Sequence, residues 1–234
     1  MITPNVFSIL VLGFILGLKH ATDADHLIAV SAIVSERKGF WSSSIVGMLW
    51  GLGHSVSLLV IGLAVVVLDL RIPESISVWM ELAVAGMLVV LGGNVLWKLR
   101  RGATLHAHEH LHNEKRHIHL HIHSPGKETV HDHVPRVGKK PFFVGMVHGM
   151  AGSAALMLVV LATISSRPLA LLYVTLFGAG SVGGMVIMSM FLGLPFAFTS
   201  RHQRLNTMIR ISAGALSVCF GLLYAWRIGL TVRW

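Results

Sequence analysis

Six apolar runs divide this chain, at roughly residues 6–34, 43–68, 77–97, 141–164, 169–195 and 208–230. Each matches or exceeds the about 20 residues that a helix needs to cross a bilayer. Composition agrees: 54% of residues are hydrophobic and 12% charged, against about 25% charged in soluble domains. A water-soluble globule is excluded. The runs are continuously apolar rather than alternating, and a lipid-exposed backbone must satisfy its own polar groups, so helices are expected rather than a barrel. The expected fold is all-α and polytopic, with six transmembrane helices. The first run has no basic residue before it and no small-residue cleavage site after it, so it is expected to remain as a span. The single cysteine, Cys219, excludes a disulfide framework and is expected to be a small core residue.

A net charge of +9 would suggest nucleic acid in a soluble chain; in a membrane protein the basic residues first mark the cytoplasmic side. The first, third and fifth connections carry Arg37, Lys38, Lys98, Arg100, Arg101, Lys115, Arg116, Lys127, Arg136, Lys139, Lys140, Arg201, Arg204 and Arg210. The opposite side, with both termini, carries only Arg71, Arg167, Arg227 and Arg233. Both termini are therefore expected outside the cytoplasm, the chain in the cytoplasmic (plasma or inner) membrane, its partners membrane lipid rather than nucleic acid.

The two halves share anchors. G-L-K-H ends at His20 and G-M-V-H at His148; W-G-L-G-H-S (Trp50 to Ser55) follows 34 residues after the first and F-G-A-G-S-V (Phe177 to Val182) 33 after the second. Three spans per half is an odd number, so the second half starts from the other side. The expectation is a 3+3 inverted repeat with a site near midplane, divided as residues 1–99, a cytoplasmic loop 100–140, and residues 141–234.

The segment Gly17 to Val30 places Lys19, His20, Asp23, Asp25 and His26 inside an apolar run. Insertion costs roughly 2.5 to 3.5 kcal/mol for each such Asp or Lys near the bilayer centre, so pairing, a wet cavity or a bound ion must offset it. On an unbroken helix Lys19, His20, Asp23 and His26 share one face and Asp25 lies about 100° beyond; unwinding near Thr22 would bring Asp25 to them. Imidazole mixed with carboxylate suits Zn, Cu, Fe, Ni or Co rather than Mg or Ca. The bland alternative is a Lys19–Asp ion pair with histidines in polar interhelical contacts. His54 is expected beside the first span, with Gly47, Gly51 and Gly53 allowing close approach, and His148 by the repeat. The candidate metal set is His20, Asp23, Asp25, His26, His54 and His148. Gly178, Gly180, Gly183 and Gly184 are read as helix packing, since no strand precedes them for a nucleotide loop.

The third connection holds His106, His108, His110, His112, His117, His119, His121, His123, His131 and His133. Their i, i+2 spacing puts successive side chains on one face of an extended chain. A hairpin turning at Asn113 to Arg116 would do this; a metal-free tract of this composition is otherwise expected to be disordered. The composition suits metal buffering on the cytoplasmic side.

H-A-T-D-A-D-H at His20 to His26 resembles the H-x4-D-H signature of the nickel/cobalt transporter family (the NiCoT/NicO superfamily), and L-G-H-S at Leu52 to Ser55 its following L-G-H-S/T motif. With H-G-M-A-G-S-A-A-L at His148 to Leu156, the chain looks most like the short UreH-type subgroup of urease-accessory and nickel-permease-like members. The resemblance implies a permease rather than an enzyme, with no tightly bound cofactor. It further implies transported Ni2+ or Co2+ (Zn2+ a further candidate) and His20, Asp25, His26 and His54 as residues that transport requires. The chain departs from typical members: it lacks their second-half L-G-F-D-T-A-T-E motif and the aspartate after G-M, so metal selectivity and the coupling ion stay open; its histidine-rich loop also resembles that of related nickel/cobalt exporters, which leaves direction open. Two alternatives stand beside the secondary transporter. One is a membrane accessory protein delivering nickel to urease or hydrogenase maturation proteins or nickel chaperones; the other is a haem electron carrier using His20, His54 and His148.

Overall fold

The computed structural model describes residues 5–37, 39–70, 73–101, 138–151, 160–161, 163–164 and 166–231, and the backbone of 105–112 and 115–122. Helix α1 (Val6–His20) breaks before α2 (Ala24–Val34); α3 (Phe40–Leu68) and α4 (Glu74–Arg100) complete the first half. A hairpin of β1 (Leu105–His112) and β2 (Lys115–Ile122) leads to α5 (Lys140–Gly149), α6 (Arg167–Phe198), a 3-10 turn (Thr199–Arg201) and α7 (Gln203–Thr231). The helices α3, α4, α6 and α7 are long and apolar enough to cross a membrane, and α1 with α2, bent by 54°, makes a fifth candidate. The expected span over 141–164 begins as α5, and most of its remainder, 152–159, lies outside the described residues. Outward-facing Val60, Leu63, Phe191, Leu223 and Trp226 are exposed, the surface a lipid-embedded bundle presents. Cys219 is exposed on α7 rather than in the core, a correction: on an apolar outer face a small side chain needs no burial.

The α1–α2 break has a local cause. Thr22 Oγ donates to the Lys19 carbonyl at 2.6 Å, and the N–H groups of Thr22 and Asp23 bond the carbonyls of Lys19 and His20. This tightens the last turn and stops it, as Thr and Asp do when they compete with the helix. Asp23 is the extended N-cap of α2 but makes no side-chain capping bond. Its carboxylate is engaged elsewhere, as shown below.

Burial recurs between the halves. All ten buried positions of α3 have a buried counterpart 127 residues later in α6: Ser43 with Ala170, Val46 with Tyr173, Gly47 with Val174, Trp50 with Phe177 and Gly51 with Gly178, then Gly53 with Gly180, His54 with Ser181, Ser57 with Gly184, Leu58 with Met185 and Gly62 with Ser189. The short helices match at an offset of 128, where buried Gly13, Gly17 and His20 of α1 correspond to Pro141, Gly145 and His148 of α5.

The helix contacts are reciprocal as well. A Cβ at Gly17 would fall 2.1 Å from the Phe177 carbonyl oxygen, and one at Gly145 2.0 Å from that of Trp50. Gly180 meets Phe14 in the same way that Gly53 meets Phe142. Only a hydrogen fits at such positions, so backbones approach closely. Gly13 beside Tyr173 and Gly17 beside Phe177 make α1 parallel to α6; Gly145 beside Trp50 and Gly149 beside His54 make α5 parallel to α3. Gly47 beside Ser189 and Gly62 beside Val174 make α3 and α6 antiparallel. Hence α1 and α5 run in opposite directions.

This corrects the expected pairing of the first two spans. Gly47 and Gly51 face α6 and Gly53 faces α5, not α1. The small-residue stripes of each half mate with the other half, while the expected nearness of His54 to the first span holds at His20, whose Nε2 lies 3.2 Å from His54 Nε2. The expected packing role of Gly178, Gly180 and Gly184 holds: they face Ser55, Phe14 and Ala21. The outer helices α4 and α7 pack through Gly92, Gly214 and Gly221, and Ser217 donates to the Leu88 carbonyl at 2.8 Å. Helix α2 lays Ala29, Val30 and Val34 into the same core as Leu88, Leu91 and Val95 of α4.

In the hairpin, His106 pairs with His121, His108 with His119 and His110 with His117. Paired positions lie on the same face of a two-stranded ribbon, so these six share one. The backbone is therefore extended rather than disordered, and β2 begins at Lys115, two residues inside the turn expected at Asn113 to Arg116. His112 stands opposite Lys115; His123, His131 and His133 lie outside the described residues.

Candidate metal centre

Four helical segments meet at one buried point. His20 ends α1, Asp25 and His26 open α2, His54 is at the middle of α3, and His148 stands in the last turn of α5. Because α1 and α5 run oppositely, His20 and His148 reach this point from opposite sides. Both arrive at helix C-termini, where the partial negative charge of the backbone favours a cation. The four histidines are 0–3% exposed.

The polar contacts tie the cluster together. His20 Nδ1 lies 2.8 Å from Asp23 Oδ2, and its Nε2 lies 3.2 Å from His54 Nε2. Asp25 reaches His26 Nδ1 at 3.1 Å with one oxygen and His148 Nε2 at 2.8 Å with the other. His26 is central: its ring centroid is 4.5 Å from that of His20, 5.0 Å from His54 and 4.1 Å from His148. Among the described residues, His26 Nε2, His54 Nδ1 and His148 Nδ1 are buried without a hydrogen-bond partner. Buried imidazole nitrogens left open cost free energy unless something binds them.

Two sets of donors lie within ligand reach of a single ion. His20, His26 and His54 form one, and Asp25, His26 and His148 the other, their donor atoms within 4.8 Å of one another in each set. Asp23 belongs to neither set. Its carboxylate on His20 Nδ1 fixes the ring so that Nε2 faces inward, the role carboxylates take behind ligating histidines. The Asp23 and Asp25 side chains are 42% and 21% exposed, so the carboxylates form the open edge of the cluster. Its imidazoles form the closed floor.

Of the residues singled out in the first span, the break brings Asp25 inward and turns Lys19 out. Lys19 is exposed and, among the described residues, makes no ion pair, which removes the Lys19–Asp alternative. The His20 and His54 nitrogens, 3.2 Å apart, face each other directly rather than across a haem plane. Sequence reasoning missed two framing rings: Trp50, with its centroid 5.4 Å from His26 and 5.5 Å from His148, and Phe177, 5.5 Å from His20. Their signal was present, since each opens one copy of the repeated glycine motif.

No solved structure matches this chain. A urease accessory protein, UreH, of Bacillus sp. (strain TB-90) is 37% identical over 228 residues, covering 97% of this chain and 94% of the relative. Residues 6–194 match the family described as high-affinity nickel-transport protein, NicO. A multi-pass membrane protein whose buried histidines come from four helical segments, matched over most of its length, therefore belongs to the NicO nickel-transport family.

Proposed function

We propose that the chain is a secondary transporter for a divalent transition-metal ion, Ni2+ in the first place and Co2+ next, in the cytoplasmic membrane. The observation that carries this reading is the convergence of His20, Asp25, His26, His54 and His148 from four helical segments on one buried point. Asp23 orients His20. Six spans arranged as a 3+3 inverted repeat, with both termini outside, supply the mechanism: the halves rock about the cluster and expose it to each side in turn. The matched burial of α3 and α6 and the opposed α1 and α5 support this arrangement. Ligands must release as well as bind, and protonation of imidazole or carboxylate supplies the release step. The histidine-bearing hairpin buffers metal on the cytoplasmic side; its three cross-strand histidine pairs support that role. Purified protein in liposomes is expected to take up radioactive nickel, and His26→Ala is expected to abolish uptake while the protein stays monodisperse; unchanged uptake refutes the site.

The urease-accessory character of the Bacillus relative favours a second reading, delivery of nickel to urease maturation proteins without translocation. Uptake by liposomes that contain no other protein separates the two, because a delivery protein alone moves no ion.

A further inference from the structure

The inference rests on reading the cluster as a metal site and concerns how an ion moves within it. His26 is the one residue common to the two donor sets. An imidazole carries two ring nitrogens, either of which can ligate. Here Nδ1 points to Asp25 at 3.1 Å, in the set with His148, while Nε2 is buried without a hydrogen-bond partner among the described residues. The ring lies between those of His20 and His148.

Each set also has one pair of donors already at ligand spacing. Two atoms bound to one ion at about 2.0–2.1 Å stand roughly 2.8–3.4 Å apart for angles between square and tetrahedral. His20 Nε2 and His54 Nε2 are 3.2 Å apart; His148 Nε2 and Asp25 Oδ2 are 2.8 Å apart. One pair includes the end of α1, the other the end of α5, and these helices enter from opposite sides.

We infer that the cluster is two successive ion stations, an all-imidazole one of His20, His26 and His54 and a carboxylate-bearing one of Asp25, His26 and His148. His26 hands the ion from one to the other. The ion exchanges two ligands while a third stays with it, so it is never stripped of protein ligands at bilayer depth, where an unligated divalent charge is most costly. The carboxylate-bearing station, partly open through Asp25, is the one that exchanges with water in this conformation.

The test uses the full chain in detergent with its ten loop histidines changed to serine, and Co2+ as an optical and X-ray absorption probe. His54→Ala removes only the imidazole station and His148→Ala only the carboxylate-bearing one; His20→Ala and Asp25→Asn repeat each test should either variant fail to fold. The expected result is that each of these retains Co2+ with a spectrum distinct from that of the other station. His26→Ala loses binding at both, and all of them lose transport in liposomes. Retained binding with lost transport is the signature of a broken handover. If His54→Ala and His148→Ala each abolish binding as completely as His26→Ala, or leave one identical spectrum, the cluster is a single site and the two-station inference is overturned. If even His26→Ala binds Co2+ as its parent does, the reading of the cluster as a metal site fails instead.

Discussion

Helices α1 and α3 bury the same pattern of positions as helices α5 and α6, but they carry different chemistry. Where α3 has His54, α6 has Ser181. Where the chain after His20 reads A-T-D-A-D-H, the chain after His148 reads G-M-A-G-S-A. One half contributes five of the six polar residues of the cluster and the other contributes His148 alone. The small-residue stripes are retained on both sides because each half packs into the other, and a misfit on either side opens the same interface. The polar residues show no such reciprocity: Ser181 stands at the position matching His54. The buried pattern occurs twice and the polar cluster once.

Experiments can break that comparison. The largest effect is expected from His54→Ser, which gives α3 the residue found in α6. Nickel uptake in liposomes falls by about 100-fold or more, beyond the range seen for groups that merely orient ligands. Ser181→Ala, the mirror position, leaves uptake near that of the parent. If Ser181→Ala is equally damaging, the chemistry is shared after all.

Next comes packing. Gly145→Ala puts a Cβ 2.0 Å from the Trp50 carbonyl oxygen, and Gly17→Ala puts one 2.1 Å from that of Phe177. Both are expected to destabilise by about 2–3 kcal/mol, the cost of overpacking. At Gly86, where nothing lies within 4 Å, alanine is expected to stabilise by up to about 1 kcal/mol through helix propensity. Thermal unfolding in detergent reads all three, and unequal losses at Gly145 and Gly17 would show that the halves are not equivalent as scaffold.

A smaller effect follows from Asp23→Asn, which weakens the hold on His20 Nδ1 without removing a ligand. Nickel affinity measured by calorimetry is expected to drop roughly tenfold, with no change in the melting profile. Smallest is removal of residues 105–133: the initial rate of uptake stays as in the full chain, while metal retained per protein falls. Loss of uptake would place the histidine hairpin on the transport route rather than beside it.

Much of this was legible from the amino acids. Apolar runs of span length, the cost of ionisable groups within them and the H-x4-D-H spacing were enough to point to a multi-pass protein and to His20, Asp25, His26 and His54. The correspondence of the halves was legible only as two glycine motifs; the matched burial of α3 with α6 and of α1 with α5 was not. The role of Asp23 was not legible, because on an unbroken helix it falls on the same face as the ligands. Its position behind His20 follows from the turn at Thr22.

The sequence by itself determined that the chain is helical and membrane-embedded and that one apolar segment carries a cluster of histidines and carboxylates, since hydropathy and side-chain type act locally and hold wherever the segment sits. Only the tertiary structure decided that α1 packs on α6 rather than on α3, and that His148 meets Asp25 across 123 residues. It also decided that Lys19 faces outward while Asp25 turns in. Those outcomes depend on which small-residue stripes mate and on a 54° bend at three residues, and close packing between distant segments leaves no periodicity in the chain that could announce it.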